Sequence, residues 1–545
     1  VETFLSRVVA RPLTVRGRIR SDDPRLPPRM VGPLAGDLER EGPLTRERFA
    51  VRWSDTAALA GLATAKRRPL APELGAALTE YHRRLGASPA SLASLDRLAR
   101  GEAVAAIAGQ QPAPLGGPLY SLHKTAAAYG FAAEVTTRTT VPCVPLFWMH
   151  GEDSDFPEIR SIALADAALT LRELELPASA HREAGLLGGI PTAPLAALHQ
   201  AALAHWSGLP GHDEVAPLTR VHPGARDLGE AYSALMLALF ADQGLVVVDP
   251  RLPAFRAAAR PIIDRYLARA DALSAAVQRA GDLLEARIGQ RPLAGPALES
   301  FVFRIEDGAR HKVTAAEARA LGPSATLSPS VALRPVVQDG VLPTVVMACG
   351  SAEAAYLAQL RELFEGVGVS PACPAARISL TWLPPSGVEL IESAGASAEE
   401  LVFDPDGVLR RHAEARTPTA LREQLERARR EMNDALTRFA ESARAVDASL
   451  PQMVESARAK VDFQVARLHE GLAGKLRHQL ERQHPEWARL RYYLRPGDLF
   501  QERRIAGLDP IARRGAGTVG ELCRLSVEHA RRFADHVMDV LVVEL

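Results

Sequence analysis

The sequence predicts an α/β protein: a Rossmann-type parallel sheet with helical insertions and an antiparallel coiled-coil arm towards the carboxyl end. Three observations carry this reading. First, the short apolar runs "AVAAIAG", "VPLFWMHG", "GLVVVDP" and "TVVMACG" each end in Gly, Asp or Pro just before a helical stretch, the grammar of a sheet covered by helices on both faces. Second, a chain of 545 residues is too long for one ordinary core, so two or three domains are expected. Third, residues 415–483 carry apolar side chains at a sustained 4-3 spacing around a proline, the pattern of a helical hairpin.

Taken in order, residues 1–100 read as a helical region with Pro-rich connections such as "DDPRLPPRMVGPLAGDLER". In "SPASLASLDRLARGEA", Ser88 or Ser91 can cap a helix whose Leu92, Leu95 and Leu98 share a face. Residues 101–414 form the predicted core. It carries an Ala/Leu-rich, mostly helical insertion at about 160–240 and a mixed one at about 295–345. In the latter, "FVFRIEDGARHKV" alternates around Asp307-Gly308 as a hairpin does. In the arm, one predicted seam runs through Leu421, Leu425, Ala428, Met432, Ala435, Phe439 and Val446. The other runs through Val454, Ala457, Val461, Val465, Leu468, Leu472, Leu476 and Leu480. So long a seam suggests a dimerisation arm. Residues 484–545 return as a helical segment to the core.

Composition narrows the function. Lys plus Arg and Asp plus Glu both total 65, so the basic excess of a nucleic-acid-binding protein is missing. No run approaches the roughly 20 apolar residues of a membrane span, and the amino terminus lacks the apolar core of a signal peptide. A cytoplasmic location is expected. Cys143, Cys349, Cys373 and Cys523 form no C-x-x-C pair, so no structural metal site is expected. Cys349, beside Gly350 in a turn, is the one with a conceivable reactive role.

Ligands of such sheets bind outside the carboxyl ends of the strands, which is where the polar motifs fall. In "AGQQPAPLGGPLYSLHK", Gly116 and Gly117 permit an unusual turn and the following helix start could cradle an anion. Gln110 and Gln111 could orient a substrate, with Tyr120, His123 and Lys124 in the first two helical turns. A tight turn with a solvated His-Lys pair is an equal alternative. In "HGEDSDF", Glu152, Asp153 and Asp155 could bind Mg²⁺, hold an ammonium or act as a base, or merely cap a helix. Arg334, Gln338 and Asp339 precede a strand whose turn, Gly350-Ser351, is a second helix start. Arg334 could meet an anion or pair with Asp339 or Glu353.

These segments, with "LRPVVQDGVLPTV", "GSAEAAYLAQL" and "PGDLFQER", resemble the bacillithiol-synthesis cysteine ligases, the BshC family, from about residue 100 onward. The resemblance implies a core related to class I aminoacyl-tRNA synthetases and a homodimer formed through the arm. It implies addition of cysteine to glucosaminyl-malate, with ATP activating the carboxylate and Mg²⁺ as an optional companion. In that scheme His123, Lys124 and Asp153 are catalytic. Gln110, Gln111, Gly116, Gly117, Tyr120, Glu152, Asp155, Arg334, Gln338, Asp339, Gly350 and Ser351 bind substrate or nucleotide, with Arg334 on a phosphate or the malate. This chain has Ala108 where the family usually has Thr, and Ser154 where it commonly has His. A non-catalytic dimeric nucleotide-binding scaffold, or a ligase with another amine acceptor, are the alternatives.

Overall fold

The computed structural model describes residues 12–27, 32–444, 446–447 and 449–545; the first residues of the predicted amino-terminal region lie outside them. The chain divides into two compact units, one of residues up to Trp382 together with Asp498–Leu545, the other Leu383–Gly497.

The first unit is built on a five-stranded sheet in which every pair is parallel. Its strands in chain order are β1 (Val104–Gln110), β2 (Cys143–Met149), β3 (Val246–Val248), β4 (Thr344–Cys349) and β5 (Cys373–Ala376). Their spatial order is β5-β4-β1-β2-β3. The chain winds outward from β1 through β2 to β3, then crosses back to β4 and β5, as in doubly wound Rossmann sheets. This creates a switch point between β1 and β4, where the loops leaving the two strands diverge. All seven residues of β1 are buried, which explains why the central strand reads as an unbroken small and apolar run.

Four of these strands match the sequence prediction; β5 was not foreseen. Two further departures come from strands among predicted helices. Val15–Arg20 pairs antiparallel with Asp539–Glu544, and Ser379–Leu383 completes that sheet. The first insertion opens with an antiparallel hairpin, Ser161–Ala165 with Leu171–Glu175, before its helices. The hairpin around Asp307-Gly308 forms as predicted, from Val302–Glu306 and Ala309–Lys312, with Leu327–Pro329 added on its other side.

The second unit contains the helices Pro385–Ala394, Ala398–Phe403 and Pro405–Ala415 and the long pair Thr419–Ala443 and Leu450–Gln483. Val454, Val465 and Leu480 of the second long helix are buried as the seam predicts. The first helix is rotated from its prediction. Leu421, Met432 and Phe439 are exposed, Phe439 by 61%, whereas Asn433 and Thr437 lie partly covered and bond Asp462 and Arg458 of the other helix. Met453, Phe463 and Leu468 are exposed as well. The hairpin thus keeps an outward apolar stripe in a single chain. Among the described residues, no helix is long and apolar enough to cross a membrane.

Candidate active site at the carboxyl edge of the sheet

Strand register decides which side chains meet. Gln110 pairs with Met149, and the His150 N–H donates to the Gln110 carbonyl at 2.9 Å. Gln111 and the acidic segment after His150 therefore emerge side by side. Cys349 pairs with Ala376, and the Arg377 N–H donates to the Cys349 carbonyl at 2.9 Å, so Gly350 and Arg377 also leave the sheet together.

The turn after β1 uses left-handed backbone at Leu115 (φ 53°), Gly116 (81°) and Gly117 (69°). It is sheathed by Ile505–Leu508. The Leu119 N–H donates to the Ile505 carbonyl at 2.8 Å, Gly507 N–H to Gly117 at 2.6 Å and Leu508 N–H to Leu115 at 3.1 Å. A Cβ on Gly507 would lie 2.9 Å from the Gly116 carbonyl oxygen. The anion cradle expected at this helix start is thus occupied by the chain itself. Gly116 and Gly117 serve close backbone packing, and Pro118 is the N-cap of the helix Leu119–Thr139.

Past this turn the predicted polar residues do converge. The Gln110 amide donates to the Tyr120 hydroxyl at 2.9 Å and to Gln111 Oε1 at 3.1 Å. Gln111 donates to Asp153 at 3.2 Å and Glu158 at 2.8 Å. The Lys124 ammonium donates to Gly109 O at 3.2 Å and Gln110 Oε1 at 3.3 Å, and pairs with Glu353 at 2.6 Å. The same Glu353 oxygen accepts the Gly350 N–H at 2.9 Å. Lys124 therefore ties the end of β1 to the helix after β4, across the switch point. Arg334 does not pair with Glu353 or Asp339, as one reading of the sequence allowed. Tyr120 presents its ring to Lys124, Arg377 and Arg503 at 6.0, 5.9 and 5.5 Å, and burial pushes its hydroxyl above the ordinary value.

His123 was expected to be catalytic, and its surroundings assign it another task. It is fully buried. Its Nδ1 lies 3.0 Å from Glu502, and its Nε2 accepts the Trp382 indole N–H at 3.1 Å. Burial lowers its pKa, so the ring is neutral, with Nδ1–H donating to Glu502. Glu502 also receives a bidentate pair from Arg377, at 2.9 and 2.6 Å. Burial alone would raise the Glu502 pKa; Arg377 and His123 outweigh it and hold the carboxyl well below the usual range. With both ring nitrogens engaged, His123 positions its neighbours and has no nitrogen left for proton transfer. Glu502, Arg377, Trp382 and Glu353 complete the site. No spacing rule finds the first pairing, because Arg377 and Glu502 are 125 residues apart.

The acidic segment separates into unlike groups. Glu152 is buried, bound by Arg256 at 3.0 and 2.8 Å and by the Ser328 hydroxyl at 2.7 Å. Asp153 accepts the Ser154 and Asp155 N–H groups at 2.7 and 3.2 Å besides Gln111. Asp155 is exposed at the start of the short helix Phe156–Ile159. The three do not surround one point. Among the described residues, the only cluster with metal-ligand spacing is Glu389, His484 and Glu486 of the second unit, so the carboxyl edge offers no preformed Mg²⁺ cage.

Two cavities open along this edge. One is lined by Gly350, Ser351, Arg377, Glu502 and Arg503 among others. Cys349 reaches it but is buried, its Sγ on the Ala375 carbonyl at 3.4 Å and its thiol pushed up by burial, the opposite of a nucleophile. The other, smaller, is lined by His150, Glu152, Asp153, Arg310, Ser328 and Arg334 among others. Burial, then Arg334 and Lys124, push His150 well below its ordinary pKa.

Gln338 and Asp339 lie elsewhere. The helix Arg334–Val341 runs against the strands, so Arg334 begins at the carboxyl edge and the last turn ends at the amino edge. Asp339 accepts from the Thr344 hydroxyl at 2.6 Å, the Ala372 N–H at 2.6 Å and Gln338 at 3.1 Å, which ties together the starts of β4 and β5. Both are structural residues.

A doubly wound parallel sheet with a convergent polar crevice at its switch point, joined to a long helical hairpin, defines a Rossmann-like protein with a coiled-coil domain. Two family models agree. "Bacillithiol biosynthesis BshC, N-terminal Rossmann-like domain" matches residues 34–374, and "Bacillithiol biosynthesis BshC, C-terminal coiled-coil domain" matches residues 380–534. The chain belongs to the BshC family. It is 31% identical over 422 residues to the "Putative cysteine ligase BshC" of Koribacter versatilis, covering 73% of this chain and 77% of the relative. The protein of that name from Solibacter usitatus is 29% identical over 438 residues, covering 77% and 82%. That of Geobacillus thermodenitrificans is 26% identical over 454 residues, covering 78% and 83%.

Proposed function

We propose that the protein is a cytoplasmic ligase that joins the carboxyl group of cysteine to the amine of glucosaminyl-malate, with ATP as the activating substrate. The observation that supports this most directly is the Lys124 bridge at the switch point, flanked by the buried Gln110, Gln111 and Tyr120. A carboxylate oxygen is too poor a leaving group to be displaced by an amine. In the proposed reaction the cysteine carboxylate attacks the α-phosphorus of ATP and pyrophosphate leaves. The amine then attacks the carbonyl carbon, AMP departs with the bonding electron pair, and the amine nitrogen loses a proton.

In this reading Lys124 stabilises the negative charge that grows on the transferred phosphoryl and on the carbonyl oxygen. Gln110 and Gln111 orient the cysteine, and Asp153 takes the proton from the amine. His123, Glu502 and Arg377 hold the Tyr120–Lys124 helix face in place. A Mg²⁺ ion would come with the nucleotide's phosphates. The outward stripe of Leu421, Met432, Phe439 and Phe463 supports a homodimer through the hairpin.

The test is to incubate the protein with cysteine, glucosaminyl-malate and ATP and to follow product and nucleotide by mass spectrometry. The amide product with AMP is expected. No product together with no cysteine-dependent pyrophosphate release overturns the proposal, and product with ADP replaces the adenylate by an acyl phosphate.

A further inference from the structure

The Lys124 ammonium carries three N–H donors, and the protein itself answers all of them: Gly109 O at 3.2 Å, Gln110 Oε1 at 3.3 Å and Glu353 Oε2 at 2.6 Å. The first two acceptors are neutral and belong to the buried end of β1. Of the three, Glu353 is the one that cancels the charge. It is also the more open member of the pair, with 15% of its side chain exposed against 7% for Lys124. It stands in the first turn of the helix Ser351–Gln359, next to the exposed Ala352. Its carboxylate can therefore turn to water without unpacking the core.

The place that this carboxylate fills has the chemistry of an anion seat. The Gly350 N–H, at the positive end of the helix, donates to the same Glu353 oxygen at 2.9 Å. Arg377 flanks the same corner: a Cβ on Gly350 would lie 3.6 Å from Glu353 Oε2 and 3.9 Å from Arg377 Nε. Glu502 takes the Arg377 guanidinium through its two terminal nitrogens. Among the described residues, the buried Arg377 Nε has no hydrogen-bond partner. The cavity lined by Gly350, Ser351 and Arg377 opens beside them. A glutamate that only caps a helix needs the one backbone N–H; this one also holds a buried ammonium and lies beside an unanswered guanidinium N–H.

We propose that Glu353 is a built-in stand-in for a nucleotide phosphate, a gate that must swing out before ATP can be used. The inference rests on the ligase reading above and adds a regulation of that site. With Glu353 in place, Lys124 is neutralised and has no donor left for a substrate. When the carboxylate turns out, Lys124, the Gly350 N–H and the Arg377 Nε–H are released together to the phosphates. The ammonium is thus uncovered only by the substrate that needs it. Because ATP has to displace an internal competitor, its apparent affinity is lower than the seat alone would give.

The test is binding and needs no turnover. ATP and adenosine are titrated calorimetrically into the full-length native protein, Glu353→Gln and Glu353→Asp. Gln keeps the length and an oxygen for the Gly350 N–H but drops the charge; Asp keeps the charge and shortens the reach. Glu353→Gln should bind ATP at least about tenfold more tightly than the native protein, as expected if the seat is closed in about nine molecules of ten. ATP should also raise its melting temperature by more. Glu353→Asp should fall between the two, so a gain remains to be measured if Glu353→Gln does not fold. Adenosine, which lacks phosphates, should bind all three alike. A residue that merely caps the helix or orders Lys124 gives the opposite sign. ATP bound by the native protein but equally or less tightly by the folded variants therefore overturns the gate and leaves the ligase reading standing. An equal gain for adenosine overturns it as well. A native protein that binds no ATP overturns the ligase reading and the gate with it.

Discussion

The two ends of the parallel sheet carry buried polar clusters that look alike in the sequence and differ in kind. At the amino end, Asp339 satisfies Thr344, Ala372 and Gln338, with the buried Lys66 ammonium 4.0 Å away. Every donor to Asp339 there comes from the scaffold, while the Lys66 ammonium itself is buried without a hydrogen-bond partner. At the carboxyl end, Lys124, Gln110, Gln111 and Asp153 form a polar group beside two cavities, one of them lined by Asp153. A buried lysine beside a carboxylate therefore says little until topology shows which edge it occupies. The saturated group at the carboxyl end, His123 with Glu502 and Arg377, belongs in behaviour with the amino end.

That comparison can be broken at several points. The largest effect is expected from Glu502→Ala, which leaves Arg377 and the His123 N–H buried without acceptors and should destabilise the fold by about 3–5 kcal/mol, read by denaturant unfolding. Lys124→Met should lower kcat by roughly 10²–10³-fold with a smaller stability change, since Glu353 keeps the Gly350 N–H. Acid should act through buried histidines. His82 and His529 are both pushed down to about 4 by burial, below the value of about 6.5 in the unfolded chain. Between those values the unfolded chain binds more protons, so stability falls as pH drops from about 6.5 to about 4, by up to about 3 kcal/mol for each group. Melting curves across that range check the sign. Asp339→Asn keeps the shape but sets an amide NH₂ against a scaffold donor and takes the carboxylate from beside the Lys66 ammonium, and should cost about 3 kcal/mol with kcat/KM of the folded protein unchanged. The smallest change to the single chain is expected from Phe439→Glu. It should leave the melting temperature near native while shifting light scattering from dimer towards the 58.6 kDa monomer.

Much of this contrast was legible in the sequence, and what was not has physical reasons. The core strands showed because buried parallel strands read as unbroken apolar runs ending in turn residues. β5 was hidden by Pro374, which breaks strand patterns but is tolerated at a sheet edge; among the described residues β5 pairs with β4 alone. Gln110, Gln111, Tyr120, Lys124 and Asp153 could be singled out because a polar cluster directly after a core strand is unusual, and hydrogen bonds do join them in the structure. Gln338 and Asp339 were grouped with them because proximity in sequence hides that an eight-residue helix carries the chain from one edge to the other. Glu502 and Arg377 could not be read from spacing at all. In the arm, the 4-3 pattern of the first helix marked a real apolar face, but a pattern does not reveal which partner covers it.

The central claim is that chemistry resides at the carboxyl end and architecture at the amino end. The direct measurement is amide product formed per folded molecule by Lys124→Met and Asp339→Asn, side by side with the native protein. The account predicts product lost in the first and retained in the second, despite the lower stability of the second. Product retained by Lys124→Met, or lost by folded Asp339→Asn, would contradict it.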